Sequence, residues 1–149
     1  RTSSSAASDV YKRQHYGDVS ALLSHGRGKT MGDGWETRRR REPGNDWIII
    51  KLATKGLIKK IEIDTAHFKG NYPDQASVQV SNFDKNKGLE ELINDSHNWK
   101  YILNKSKLQA DNIHNYEVND TSIKDVTHVR LNIYPDGGVS RLRIFGLKL

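Results

Sequence analysis

Along most of this chain the hydrophobic residues come in short alternating runs, with the period of strands rather than of helices. Residues 47–52, WIIIKL, are β-branched and nearly continuous, which predicts a strand buried on both faces. Gly56 interrupts the run. Residues 57–64, LIKKIEID, resume it, with Ile61 and Ile63 alternating with Glu62 and Asp64 as in a half-exposed strand. Residues 67–74 (HFKGNYPD) read as a loop, and residues 75–82 (QASVQVSN) as a strand with Val78 and Val80 on one side. The Lys/Asn/Asp-rich stretch at 83–96 reads as a variable loop holding one short helical turn at 89–93. Strands follow at 99–103 and 115–118, and the alternation is clear at 127–134, THVRLNIY. Pro135-Asp136-Gly137-Gly138 is a turn: proline sets the entry angle and the glycines allow positive φ. The closing strand, 139–147, points Leu142, Ile144 and Leu147 inward and leaves Val139 out of phase. Many short strands with no long amphipathic helix predict an all-β chain, an antiparallel β-sandwich or jelly roll.

The first part of the chain breaks this pattern. Residues 1–14, RTSSSAASDVYKRQ, are Ser/Ala-rich and carry no apolar period; they read as an adapter-derived or disordered tail ahead of a single domain at 15–149. Residues 15–30 form a polar loop, and Gly32, Gly34 and Pro43-Gly44 mark turns around a dense motif, MGDGWETRRRREPGNDW.

Composition narrows the classes. A chain of 149 residues supports one core, with roughly 68–70% of its unfolded surface buried. A hydrophobic fraction of 35% and a mean hydropathy of −0.76 suit short strands joined by polar loops. Zero cysteines exclude a disulfide framework or thiolate metal site and favour a reducing compartment. No run approaches the roughly 20 apolar residues of a membrane span, so no membrane partner is expected. The net charge of +6 invites a nucleic-acid reading. The lysines, however, are scattered through surface turns, whereas the arginines gather at 38–41 and at Arg141 and Arg143, which suits a small anionic ligand and no nucleic acid. The final Leu147-Lys148-Leu149 lacks the serine of a peroxisomal Ser-Lys-Leu signal, so the expected location is cytoplasmic, with peroxisomal the alternative.

Three separated strings then converge on one family. GRGKTMGDGWETRRRREPGNDWIIIKL, IEIDTAHFKGNYPD and RLNIYPDGGVSRLRIFG, in that order between residues 26 and 146, strongly resemble the second, C-terminal repeat of allantoicase. The resemblance implies a jelly roll of galactose-binding-like type, and hydrolysis of allantoate to ureidoglycolate and urea. Two departures stand out: a single repeat is present, and Ser24-His25 replaces a more apolar lead ending in proline.

Such a substrate sets chemical requirements. Allantoate carries one carboxylate, which a planar guanidinium clamps with two parallel hydrogen bonds; Arg38, Arg41 and Arg141 are the candidates. Releasing urea requires a proton on the leaving nitrogen and a water delivered to the same carbon, hence an acid and a base within hydrogen-bond reach. Glu36, Asp64 and His67 are the catalytic candidates. Trp35, Asn71 and Asp136 join the arginines as substrate-binding candidates.

Each residue also has a structural reading. Glu36 beside four arginines can form ion pairs, and Trp35 and Trp47 can be core. Asp64 can cap a turn, and Asp136 can serve its own hairpin. Alternate strand residues face opposite ways, so half the arginine run, Arg39 and Arg40 among it, is expected to turn to solvent or to acidic partners. Asp64, His67, Glu36 and Asp136 could converge on a divalent metal, although no H-x-x-H-type spacing supports it. Three function classes result: the allantoicase repeat acting with a partner repeat or as a homo-oligomer, a noncatalytic small-ligand or carbohydrate-binding module, and a structural repeat for assembly.

Overall fold

A single bent strand organises the molecule. In the computed structural model, which describes residues 2–3, 7–12, 19–84 and 86–148, the elements in chain order are β1 (Thr2–Ser3), β2 (Ala7–Lys12), a 3-10 helix (Val19–Leu23), β3 (Trp35–Glu36), β4 (Asp46–Asp64), β5 (Gln75–Ser81), α1 (Leu89–Ser96), β6 (Lys100–Lys107), β7 (Ile113–Glu117), β8 (Val126–Tyr134), β9 (Gly138–Val139) and β10 (Arg141–Lys148). The first half of β4 lies between β2 and β8, and β8 continues to β5 and β6. Its second half lies between β10 and β7, with β1 beyond β10. All pairings are antiparallel, and the register of β4 against β8 shifts between Lys51 and Gly56, where the strand passes from one layer to the other. Gly56 therefore marks a bend within one strand instead of the gap between two that its sequence suggested.

The layers meet over one core. Ile48, Ile50, Val78, Val80, Val129, Leu131 and Ile133 from the first pack with Ile61, Ile63, Leu142 and Ile144 from the second. The inward set is the odd or even half of each run, as the period of two requires. Ile49 faces the other way and is equally buried, in a second cluster with Phe83, Leu92 and Trp99 under α1. The WIIIKL run is thus apolar on both faces because both are covered. Leu147, expected inward, is 39% exposed, and the helical segment runs eight residues, beyond the single turn expected.

The same cover explains a departure on β8. Its polar positions, His128, Arg130 and Asn132, are buried, not solvated. Arg130 lies over Trp47 at 4.7 Å from the ring centroid and donates to Asn132 Oδ1 (2.8 Å) and to Ser96 Oγ on α1. Asn132 in turn donates to Ser77 Oγ and Gln79 Oε1, so the buried polar groups satisfy one another.

The stretch set apart as a tail also differs from expectation. Ala7–Lys12 runs antiparallel to β4 from Leu52 to Ile48, and Thr2–Ser3 pairs with Leu147 and Gly146. Backbone pairing needs no side-chain period, so a run without one can still extend a sheet. His15 lies outside the described residues.

Candidate active site

Motifs a hundred residues apart meet in a two-stranded ribbon. Trp35 pairs with Val139 and Glu36 with Gly138, joining the start of the arginine motif to the end of the PDGG turn. Two glycines make this approach feasible. Gly137 has φ +129°, and a Cβ there would sit 2.7 Å from the Asn71 carbonyl oxygen; at Gly138 a Cβ would lie 1.9 Å from the Phe68 ring. Gly138 N–H donates to the Asn71 carbonyl at 2.8 Å, which fixes residues 71–73 beside the ribbon. Gly32 and Gly34 do not use positive φ; Gly34 serves close packing, with Ser140 Cα 3.0 Å from the position of its absent Cβ.

At the surface of this assembly Asn71 Nδ2 donates to Glu36 Oε2 at 2.7 Å, with the exposed Met31 Sδ 3.7 Å from the same amide nitrogen. The arginine run continues from Glu36 and divides. Arg40 turns inward: its side chain is 5% exposed, donates from Nη1 to Asp46 Oδ1 at 2.7 Å and from Nη2 to the Pro43 carbonyl at 3.1 Å. Its backbone N–H donates to Asp136 Oδ2 at 2.8 Å. Arg38, Arg39 and Arg41 are exposed, and among the described residues none of their guanidinium groups has an ion pair or hydrogen bond within the chain.

A second charged group lies on the far side of residues 28–34. The Arg141 side chain, 2% exposed, donates from Nε to the Gly26 carbonyl (3.1 Å), from Nη1 to the Asp33 and Ser140 carbonyls (2.6 and 2.7 Å), and from Nη2 to Asp33 Oδ1 (2.9 Å). The Lys29 backbone N–H and this guanidinium, in that order of effect, hold the Asp33 carboxyl below the usual carboxylate range. Asp64 is fully buried; Oδ1 accepts the Ala66 N–H at 2.8 Å, the turn-capping bond its position at the end of β4 suggested, and Oδ2 accepts Arg27 Nη1 at 2.6 Å. His67 has φ +73°, places Nε2 2.6 Å from the Gly28 carbonyl, and donates its backbone N–H to Asp111 Oδ1 at 2.8 Å. An Nε2 facing a carbonyl at that distance carries a proton.

The nine candidates read from the sequence thus separate. Glu36 and Asn71 meet at an open rim, and Arg38 and Arg41 are exposed on the segment that continues from Glu36. Asp136 lies just behind it on the Arg40 backbone. Trp35 is fully buried in the main core, with no partner for its Nε1 among the described residues. Asp64, His67 and Arg141 hold the 26–34 loop. No set of three or more His, Asp or Glu among the described residues is close enough to hold one metal ion, and Glu36, Asp64, His67 and Asp136 each face a different protein partner. The residues missed by sequence reasoning are the partners: Arg27, Asp33 and Asp46. Asp33 had one signal, its place between Gly32 and Gly34, which marks a turn but not what the carboxylate would grip.

The rim can therefore recognise a planar carboxylate through unengaged guanidiniums, and it offers one surface carboxylate held by an amide.

Comparison with known proteins is consistent across sequence and fold. A family model described as an allantoicase repeat matches residues 3–149. A probable allantoicase 1 of Burkholderia mallei is 55% identical over 133 residues, 89% of this chain and 39% of that protein. A probable allantoicase of Rhizobium meliloti is 52% identical over 140 residues, 92% of this chain and 41% of its own length. A crystal structure of allantoicase from Saccharomyces cerevisiae superposes with a TM-score of 0.77 at 39% identity, over 96% of this chain and 40% of that one. A fucolectin from striped bass serum superposes with a TM-score of 0.68 at 10% identity, over 95% of this chain and 46% of that one, a likeness of fold alone. The chain spans about two-fifths of the length of the curated relatives.

Proposed function

The chain belongs to the allantoicase family, and on that premise we propose that it is one repeat of a ureide hydrolase, a carbon–nitrogen hydrolase of the linear-amidine class, that binds allantoate across the Glu36 rim. One observation carries the reading: Glu36, 2.7 Å from Asn71 at the surface, lies on the segment that continues into Arg38, Arg39 and Arg41, whose side chains have no partner among the described residues. Arg38 and Arg41 take the substrate carboxylate by bidentate pairing. Asn71 orients Glu36 and offers its amide to a ureido arm. Glu36 accepts a proton from water as oxygen bonds to the central carbon, and the proton passes to the nitrogen of the departing urea as the carbon–nitrogen bond breaks. Water adds across that bond, giving ureidoglycolate and urea with no other reactant. His67 Nε2 and Asp64 act behind the rim, through the loop they hold.

Whether one repeat suffices is part of the proposal. A chain of two-fifths the relatives' length fits a site completed by a partner repeat or a second copy. Cytoplasmic location follows from the same reading.

The test is urea release from allantoate by the purified chain, with and without added divalent metal, beside Glu36→Gln. Turnover that falls at least about 100-fold in the variant is the expected result, from the usual contribution of a positioned general base. Turnover unaffected by Glu36→Gln contradicts the assignment, and allantoate binding without urea release selects the noncatalytic binding module.

A further inference from the structure

We propose that Asp136 is a positioning residue that never touches substrate: it fixes the backbone at Arg40 and so sets which arginines face the ligand. The inference rests on the substrate reading above and deepens it. Asp136 Oδ2 accepts the Arg40 N–H at 2.8 Å. Gly137 of the same hairpin holds the chain just before it with two bonds: Thr37 N–H donates to the Gly137 carbonyl at 3.0 Å, and Gly137 N–H returns to Thr37 Oγ1 at 3.1 Å. Behind the run, Asp46 N–H donates to the Pro135 carbonyl at 3.2 Å while the Asp46 carboxylate holds the Arg40 guanidinium. The run is therefore fastened to the hairpin at Thr37, Arg40 and Asp46. Arg40 is its inward anchor, and Arg38, Arg39 and Arg41 on either side of it are exposed.

What Asp136 supplies is one acceptor oxygen aimed at an N–H. Asparagine at this position keeps such an oxygen, whereas alanine removes it. A residue that bound substrate through its charge would show no such distinction, because asparagine would fail as alanine does.

The experiment exposes the native chain to limited trypsin, which cuts after exposed arginine where the backbone can open, and measures allantoate affinity by titration calorimetry. Asp136→Ala is expected to speed cleavage after Arg38, Arg39 and Arg41 by about tenfold. Cleavage after Lys124, in a turn remote from the rim, stays at the wild-type rate, which separates local release from general unfolding. Affinity falls about tenfold in Asp136→Ala, and Asp136→Asn stays within about threefold of wild type in both measurements. Unchanged cleavage of the arginine run in Asp136→Ala overturns the inference, as does an Asp136→Asn variant that behaves like alanine. If the wild-type chain does not bind allantoate, the substrate reading falls, and the cleavage rates alone decide the role of Asp136.

Discussion

Around Arg141 every donor the guanidinium aims inward meets an acceptor of the chain itself, three carbonyls and the Asp33 carboxylate. Beyond Glu36, three arginines of the run, Arg38, Arg39 and Arg41, are exposed and only Arg40 is held. Both regions come from motifs dense in arginine and acid, and both touch the same 28–36 stretch. The difference lies in how many hydrogen-bonding sites the fold has already filled. A buried guanidinium whose partners are all internal holds a loop, and giving one of them to a ligand would leave carbonyls unpaired at a cost of about 1–3 kcal/mol each. An exposed arginine loses only water when a carboxylate arrives. Arginine content alone cannot assign these roles; the count of engaged donors can.

The largest effect that would break or sharpen this contrast belongs to the clamp. Arg141→Leu leaves the Asp33 and Ser140 carbonyls and Asp33 Oδ1 without this donor, while the Gly26 carbonyl keeps Arg143 Nη2 and Asp33 Oδ2 keeps the Lys29 N–H. With two buried carbonyls unpaired, a loss on the order of 3 kcal/mol is expected, which lowers the unfolding midpoint by on the order of 10 °C in a chain of this size. Calorimetric scanning checks it. Arg141→Lys recovers little, since an ammonium cannot reach all four acceptors in one plane. A midpoint unmoved by Arg141→Leu would mean the clamp holds nothing.

A smaller effect comes from acid. Because the folded state lowers the Asp33 pKa below its ordinary 3.8, the unfolded chain takes up that proton first as pH falls. The contribution of Asp33 is intact above pH 3.8 and drains away below it. Asp33→Asn removes this component, so the variant's midpoint should fall less steeply with acid below pH 3.8 than that of the wild type. Parallel melting curves across that range would show that Asp33 is not held as its hydrogen bonds indicate.

Much of the fold was legible in the period of the runs. The inward sets at 78–80, 129–133 and 142–144 follow directly from alternation. What alternation cannot show is whether the other face is wet. Arg130 and Asn132 hold the polar positions of the alternation at 127–134, yet α1 and Trp47 cover them, because a helix lying on a sheet depends on contacts far away in sequence. Ile49 carried the one local sign of that cover, an apolar residue on the outer face. In the site, the motifs put residues 36, 71 and 136 among the candidates, and the structure joins Glu36 to Asn71 and Asp136 to the Arg40 backbone. The sorting of arginines did not follow from the motifs, beyond the rule that neighbours point apart; the carboxylate that captures Arg40 is six residues on, and the one that captures Arg141 is 108 residues back.

The contrast between rim and clamp is tested most directly by titrating allantoate into the Arg38→Leu/Arg41→Leu double variant and recording its unfolding midpoint on the same sample. Loss of the charge-assisted bonds to a carboxylate, on the order of 3 kcal/mol in total, predicts affinity weakened by about 100-fold. The midpoint should stay where the wild type has it, since neither side chain has a partner among the described residues. Affinity that survives in the double variant, or a midpoint that drops with it, would contradict the assignment of recognition to the rim.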